Sequence, residues 1–264
     1  MVSREIITQA PYREILHPEI AAIRVYPTSE TTAKATAEVV AGIVKKNPQA
    51  HITYATGNTM IPVYAYLEEL SGVGLVDFTK TTAFHLDEYL PASPDEAWGF
   101  VNFLRKRVFG PLKIKAVNEF NGLALNPEIE ARRYEKLLSY APIDLAILGI
   151  GPWSDETESG CHIAFNESGT PFAERTHIQT LDALTVARDR LERGQGSPDR
   201  AFTQGIANIL EANNILLIAY GAEKGKSLYE ALYGELGEQR PASALRKVGE
   251  KVRIFVDEEA ASQL

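Results

Sequence analysis

The stretch "DLAILGIG" (144–151) constrains the fold most strongly, because almost all of its residues are apolar. A strand with one face in water alternates polar and apolar residues, whereas a strand covered on both faces is continuously apolar. The stretch is therefore typical of a central strand in a parallel sheet that has helices on both sides. Further strands are predicted at 22–26, 51–56, 81–89, 176–181, 215–221 and 252–258.

Amphipathic segments separate these runs. After "AIRVY" (22–26), Thr28 or Ser29 can cap a helix in which Ala, Val and Ile recur every three or four residues. Other helical patterns cover 59–70, 95–109 and 127–139. About seven strands that alternate with helices predict an α/β fold, with a doubly wound, largely parallel, Rossmann-like sheet in three layers.

The predicted fold accounts for the whole chain as a single domain. We expect one α/β domain over residues 1–264, with residues 1–20 as an N-terminal extension. The Gly-, Ser- and Pro-containing stretch "RLERGQGSPDR" (190–200) is the expected flexible connection.

Composition narrows the class of protein. The net charge of −8 disfavours nucleic acid or an anionic membrane as a partner, because a phosphate backbone needs a basic surface. The single cysteine, Cys161, excludes an intramolecular disulfide and a Cys-rich metal site, and we expect it to be a small buried residue rather than a nucleophile. The first twenty residues lack the apolar core of a signal peptide, and no run reaches the roughly 18 apolar residues of a membrane span. These features predict a cytoplasmic protein, and they leave open whether it forms a homo-oligomer.

Two strand ends carry groups suited to an anion. In "ATGNTM", Gly57 lets the backbone approach a ligand, the next helix offers free N–H groups, and Thr56, Asn58 and Thr59 can add hydrogen bonds. Lys224 opens the helix after "ILLIAYG", where a cation is unfavourable unless an anion lies nearby. Each feature alone fits a structural role equally well, as a capped glycine turn or a solvated lysine.

Two other strand ends carry groups suited to proton transfer. In "FHLDEYL", Asp87 and Glu88 project to opposite sides of a strand, so one of them faces a given pocket, and a partly buried carboxylate can act as a general base. In "SGCHIAFNESG", Glu167 can orient the ring of His162, which can titrate near neutral pH. Helix capping and a structural histidine are the alternatives. Because all four groups follow strands of one sheet, they together favour proton transfer on a small phosphorylated substrate.

From about residue 23 to the end, the sequence resembles the glucosamine-6-phosphate deaminase (isomerase) family, which shares its fold with 6-phosphogluconolactonases. Deaminases typically read Asp-Glu-Tyr and His-Ile-Ala-Phe-Asn-Glu, as this chain does, whereas lactonases read Asp-Glu-Arg and Thr-Ala-Ser-Leu-Phe-Pro. The resemblance is carried by "YATGNT", "FHLDEY", "ILGIGP", "HIAFNESG", "RTHIQTL", "AFTQGI", "YGAEKG" and "PASALRKVGEKVRIFVDEEAA".

The resemblance implies deaminating isomerisation of an amino-sugar 6-phosphate, glucosamine 6-phosphate or an epimer, to a ketose 6-phosphate and ammonia. It implies that Asp87 moves a proton between C2 and C1, and that His162, tuned by Glu167, opens the sugar ring. It also implies that the turn Thr56–Thr59 and Lys224 hold the phosphate. An acid and a base suffice for this chemistry, so we expect neither a metal nor an organic cofactor.

The chain departs from the family pattern between 152 and 161. Where the family has Gly-Ile-Gly, one residue, then Asp-Gly-His, this chain inserts about seven residues, as the spacing of the motif shows. The insertion puts Gly160 at the position of the ring-opening aspartate. Asp155 or Glu158 is a candidate to loop back and replace it.

Two further departures concern cations. Allosteric members read Arg-Thr-Arg-Ile-Lys-Thr, whereas His177 and Gln179 stand here in place of two basic residues, so we predict no activation by an effector phosphate. The phosphate-binding arginine of the family falls on Leu191, and Arg188 and Arg190 lie close by at different spacing. The alternatives to a deaminase are a 6-phosphogluconolactonase, in which the histidine activates water, and a non-catalytic sugar-phosphate sensor.

Overall fold

A computed structural model describes residues 11–140, 142–194 and 196–264. Residues 1–10 of the expected N-terminal extension and Gln195 of the expected connection lie outside these ranges. The strands are β1 (Arg13–Ile15), β2 (Ala22–Tyr26), β3 (His51–Tyr54), β4 (Thr82–His85), β5 (Asp87–Tyr89), β6 (Ala116–Asn118), β7 (Leu145–Leu148), β8 (Trp153–Ser154), β9 (Ser159–Gly160), β10 (His177–Thr180), β11 (Arg200–Thr203), β12 (Ile215–Ala219) and β13 (Val252–Asp257).

Seven α-helices are described in these ranges. They are α1 (Ser29–Lys46), α2 (Met60–Gly72), α3 (Phe100–Leu104), α4 (Pro127–Ser139), α5 (Ala183–Arg193), α6 (Ile206–Glu211) and α7 (Gly225–Tyr233). A π-helical segment at Arg105–Phe109 continues α3, and 3₁₀ turns cover Ala222–Lys224 and Pro241–Lys251.

The main sheet has eight strands and confirms the predicted doubly wound α/β fold. All of its neighbouring strands are parallel except β1, which pairs antiparallel with β2 at one edge. From β3 the chain proceeds to β4 and β6 on one side and then returns through β7 on the other, so β3 and β7 flank the topological switch point where such sheets bind ligands. The strand order is β1-β2-β13-β12-β7-β3-β4-β6.

The sequence of α1 explains where this helix begins. Thr28 is the N-cap: its hydroxyl accepts from the backbone N–H of Thr31 at 3.2 Å, and the Thr31 hydroxyl accepts from the backbone N–H of Thr28 at 3.0 Å. This reciprocal capping satisfies two N–H groups that the first turn leaves free, a contribution of about 1 kcal/mol. The apolar face of α1 then packs on the sheet through Val40, Ala41 and Val44, which are buried.

The predicted strand at 81–89 is two strands in two sheets. The main-sheet strand ends at His85, the chain turns away at Leu86, and Asp87–Tyr89 pairs with β11 in a second, antiparallel sheet of order β10-β11-β5. The break is fixed by hydrogen bonds from Gln204, whose side chain donates to the carbonyl of His85 and whose backbone N–H donates to that of Leu86, both at 2.9 Å. The predicted strand at 176–181 also belongs to this second sheet and not to the main one.

Five short strands were not predicted. They are β1, which lies within the expected N-terminal extension, β6, β11, and the two-residue strands β8 and β9 of the insertion. The expected connection at 190–200 is shorter than predicted, since α5 continues to Arg193 and β11 begins at Arg200. No described helix has both the length and the apolar character that a bilayer span requires.

Candidate active site

A cavity of about 210 Å³ lies at the carboxyl ends of four adjacent strands, β12, β7, β3 and β4. The segments that follow these strands form its floor, and α5 and the segment around His162 form its walls. It is lined by Thr56, Gly57, Asn58, Thr59, Asp87, Phe100, Gly151, His162, Thr185, Arg188, Asp189, Glu192, Arg193, Glu223 and Lys224, among others. Seven of the eight predicted site residues are in this lining. The eighth, Glu167, lies outside it and is hydrogen-bonded to the ring of His162.

The turn between β3 and α2 forms one end of the cavity. Gly57 has φ of +109°, a conformation that residues with a side chain rarely adopt. The guanidinium of Arg193 approaches this turn: a Cβ added at position 57 would lie 3.9 Å from its Nη2 atom. The start of α2 and this cation together give the end of the cavity a positive potential.

Lys224 also lines the cavity and is 6% exposed. Its ammonium donates to the carbonyl oxygen of Ile150 at 2.9 Å. Burial, and secondly the charge of Arg188, lower the pKa of Lys224 to about 8. A buried ammonium beside a second cation is unfavourable without a counter-anion, so the part of the cavity around Lys224 is suited to an anion such as a phosphate.

Asp87 lies on the floor of the cavity and is 5% exposed. Within the described residues, no donor reaches its buried Oδ1 atom. Burial, and then the charge of Glu88, raise the pKa of Asp87 well above the ordinary value of an aspartate. A buried carboxylate without a structural partner is a common mark of a functional group, because it has a strong affinity for a proton.

Glu88 projects to the opposite side of β5 and has a structural role. Its carboxylate accepts hydrogen bonds from the backbone N–H groups of Phe100 at 2.9 Å and Val101 at 2.7 Å, and so caps the start of α3. Burial raises the pKa of Glu88 to about 7 despite these donors. Of the two neighbouring carboxylates, only Asp87 lines the cavity.

His162 and Glu167 form a hydrogen-bonded pair at 3.0 Å between Nδ1 and Oε2. The other carboxylate oxygen of Glu167 accepts from the backbone N–H of Asp182 at 3.3 Å, which ties the pair to the start of α5. Burial alone would raise the pKa of Glu167, but the charge and hydrogen bond of His162 lower it below its ordinary value. Glu167 therefore accepts from Nδ1–H, and this fixes the tautomer that has Nε2 free to take a proton.

The absence of a side chain at Gly151 leaves room for the imidazole ring of His162. A Cβ at this position would lie 2.5 Å from both Cγ and Nε2 of His162, and closer still to Cδ2. The backbone N–H of Gly151 also donates to the carbonyl of His162 at 2.8 Å. The ring thus packs directly on the backbone of the segment that follows β7.

Sequence reasoning missed the contribution of α5. Five polar residues of this helix line the cavity at three- and four-residue spacing, so one face of the helix forms a wall of the cavity. They are Thr185, Arg188, Asp189, Glu192 and Arg193. That spacing of polar residues was the available signal. Arg188 donates to Glu192 at 2.7 Å, and the guanidinium of Arg193 lies 4.5 Å from the centre of the Phe100 ring.

The structure shows where the residues at the departures from the family pattern lie relative to the cavity. Leu191 is 87% exposed, and neither it nor Arg190 lines the cavity, whereas Arg188 does. Asp155 and Glu158 lie in and beside the β8–β9 hairpin, both exposed and neither in the cavity lining. The hypothesis that one of these two acids loops back into the cavity is therefore wrong.

Two other residues singled out from the sequence lie outside the cavity. The ring of His177 is 2.8 Å from the carbonyl oxygen of Arg175 and 3.1 Å from Oε1 of Gln179. Cys161 is buried, and burial raises the pKa of its thiol to about 12, which makes it a poor nucleophile.

The fold and the cavity together define the class: an α/β enzyme that binds its substrate at the carboxyl ends of a parallel sheet. The family described as glucosamine-6-phosphate isomerases/6-phosphogluconolactonase matches residues 27–254, and the chain belongs to this family.

Similar proteins include glucosamine-6-phosphate deaminases from Bacillus cytotoxicus, 35% identical over 91% of this chain and 88% of the relative, and from Streptococcus pyogenes, 37% identical over 80% and 86%. A solved structure of a monomeric glucosamine-6-phosphate deaminase of the NagB superfamily superposes with a TM-score of 0.85 at 33% identity, covering 92% of this chain and 99% of that one. The 6-phosphogluconolactonase of Trypanosoma brucei has a TM-score of 0.73 at 20% identity over 92% and 98%, which shows a shared fold.

Proposed function

We propose that this enzyme converts an amino-sugar 6-phosphate, glucosamine 6-phosphate or an epimer, to a ketose 6-phosphate and ammonia. The observation that carries the proposal is the convergence of Asp87, the His162–Glu167 pair and Lys224 around one cavity. The deaminase relatives, at 35% and 37% identity, support the same reaction.

The phosphate would bind at the cationic end of the cavity. A positive charge there comes from Lys224, and N–H donors come from the turn 56–59 and the start of α2. The guanidinium groups of Arg188 and Arg193 take the place of the arginine that position 191 lacks. The phosphate does not react, so its binding energy serves to hold the sugar carbons against the acid and base. A buried lysine whose pKa is lowered to about 8 becomes fully protonated when an anion binds beside it.

The acid–base groups would then act in sequence. Ring opening moves a proton from the anomeric hydroxyl to His162 and gives an open-chain aldehyde. Asp87 takes the C2 proton while the imidazolium of His162 returns its proton to O1, which leaves an enolamine. Asp87 then gives its proton to C1, which leaves an iminium at C2. Water adds to the iminium carbon and ammonia leaves. A carboxylate with a raised pKa is matched to this exchange, because it both takes and returns the proton.

We propose that a monomer is active, because a monomeric glucosamine-6-phosphate deaminase is among the solved structures similar to this chain. We further propose a cytoplasmic location, since the single cysteine is buried and unpaired, which suits a reducing compartment.

The test is to supply purified protein with glucosamine 6-phosphate and galactosamine 6-phosphate and to measure ammonia and ketose phosphate separately. We expect both products in equal amounts from one of the two sugars. Ketose without ammonia would reduce the reaction to simple isomerisation. Rapid loss of 6-phosphogluconolactone, with neither product, would instead establish the lactonase reaction. Tight binding of both sugars without turnover would establish a sensor.

A further inference from the structure

Ring opening also needs a group that gives a proton to the ring oxygen, and no residue of the segment 152–161 lines the cavity. Gly160 has φ of +136°, and a Cβ there would lie 2.9 Å from Cα of Trp153 and would collide with the carbonyl oxygen of Pro152. In the insertion, the side chain of Asp155 is 80% exposed and accepts from Nε1 of Trp153 at 2.9 Å. Neither of these positions places an acid in the cavity, so the candidates are the acids that do line it.

Asp189 on α5 has the required environment. It is 8% exposed and lines the cavity. The hydroxyl of Tyr89 donates to its Oδ2 atom at 2.7 Å, and no other side chain or backbone group in the described ranges donates to this carboxyl group. Tyr89 lies two residues after Asp87 on β5, so both side chains leave the same face of the strand. The tyrosine thus holds Asp189 on the side of the strand that carries the proposed base.

The other carboxylates of the cavity lining have different surroundings. Glu192 accepts an ion-pair hydrogen bond from Arg188 at 2.7 Å, and Glu223 is exposed. Asp87 is already assigned to the C2 proton. Asp189 is therefore the buried carboxyl group that remains available among the described lining residues.

We propose that Asp189 is a further catalytic residue, which exchanges a proton with the ring oxygen of the sugar, and that Tyr89 is its positioning residue. This proposal rests on the proposed function. In ring opening, the electron pair of the C1–O5 bond moves to O5, which takes a proton from Asp189. The anomeric hydroxyl gives its proton to Nε2 of His162 and becomes the C1 carbonyl. The two residues end as carboxylate and imidazolium, so no proton is gained or lost.

The electrostatics of the site agree with this assignment. Burial raises the pKa of Asp189, while the hydrogen bond from Tyr89 and then the charge of Arg193 oppose the increase. The raised pKa favours the protonated form that donates to O5, and the opposing charges allow the carboxylate to form during the step.

Ring opening can be measured apart from isomerisation. In the Asp87→Asn variant, the sugar should open and close without losing its C2 proton, so two-dimensional NMR exchange between the α and β anomers of glucosamine 6-phosphate reports ring opening alone. Adding Asp189→Asn should lower this exchange by about 100-fold, the lower range for loss of a general acid. Asp155→Asn, which removes the exposed acid of the insertion, is the matched control and should leave the exchange unchanged.

Tyr89→Phe separates a chemical role from a structural one. It keeps the carboxyl group but removes its donor, so the alkaline limb of the pH–exchange profile should move to higher pH while the folded protein survives. Anomer exchange in the double variant equal to that in Asp87→Asn would overturn the proposal, as would an unshifted profile in Tyr89→Phe. If the Asp87→Asn variant does not exchange anomers, turnover is measured in the single Asp189→Asn variant instead. Turnover equal to that of the unaltered enzyme would overturn the proposal, and a large loss of turnover would support it. Absence of ammonia and ketose with the unaltered enzyme would instead overturn the proposed function.

Discussion

Replacing Gly151 with alanine should inactivate the enzyme by displacing the imidazole of His162. The added Cβ would lie 2.5 Å from Cγ and Nε2 of the ring, where ordinary contact begins at 3.4 Å, so the ring must retreat by about 0.9 Å. A displacement near 1 Å in a catalytic group costs on the order of 100-fold in rate. We therefore expect kcat for ammonia release to fall by about 100-fold, and overpacking to cost about 1–3 kcal/mol of unfolding free energy.

The matched control is Gly149→Ala, two residues earlier in the same segment. A Cβ at Gly149 would make an ordinary contact of 3.8 Å with Cε of Met60, so this variant should retain most of its activity. Coupled assays for ammonia and ketose phosphate give kcat, and denaturant unfolding gives the free energy. If Gly151→Ala turns over within threefold of the unaltered enzyme, or if both variants lose activity equally, the packing argument is wrong.

Three further outcomes follow from the structure. Lys224→Met should raise KM and lower kcat/KM by about 10- to 100-fold, because a charged hydrogen bond contributes about 1.5–3 kcal/mol. Steady-state kinetics measure both constants, and an unchanged KM would contradict the prediction. Asp87→Asn should abolish turnover while calorimetry still detects sugar-phosphate binding, and retained turnover would refute the base assignment. His85 is fully buried, and burial lowers its pKa to about 3, so the unfolded chain binds more protons below pH 6.5 and stability is lost as the pH falls. Between pH 8 and pH 5 this histidine should lower the free energy of unfolding by about 2 kcal/mol. Denaturant titrations of the His85→Gln variant should lack that part of the pH dependence. If the free energy of unfolding of the two proteins depends on pH in the same way, the histidine is not responsible.

The fold class could be predicted because burial on both faces leaves a direct mark on composition. Strands such as β7 and β12 are buried along their whole length, and their sequences are continuously apolar. The short strands β1 and β6 have three residues each, too few for any periodicity to be recognised. The break at Leu86 was also hidden, because the hydrogen bonds that fix it come from Gln204, more than a hundred residues later.

Part of the candidate site could be predicted because the chain itself brings polar groups to strand ends. The turn at Gly57 and the carboxylate of Asp87 directly follow β3 and β4, and the topology brings these strand ends together. Asp189 lies in the middle of a helix, and its spacing shows which residues share its face but not which surface they contact. Its partner, the hydroxyl of Tyr89, is a tertiary contact that no local pattern encodes.

The position of β13 has a consequence for how the protein forms during synthesis. Residues 252–257 lie between β2 and β12 and are the parallel neighbour of β2. Residues 22–26 can therefore join the parallel part of the main sheet only after the ribosome has released residues 252–257. Because such distant pairings delay folding, the segments made early remain partly assembled until β13 has been translated.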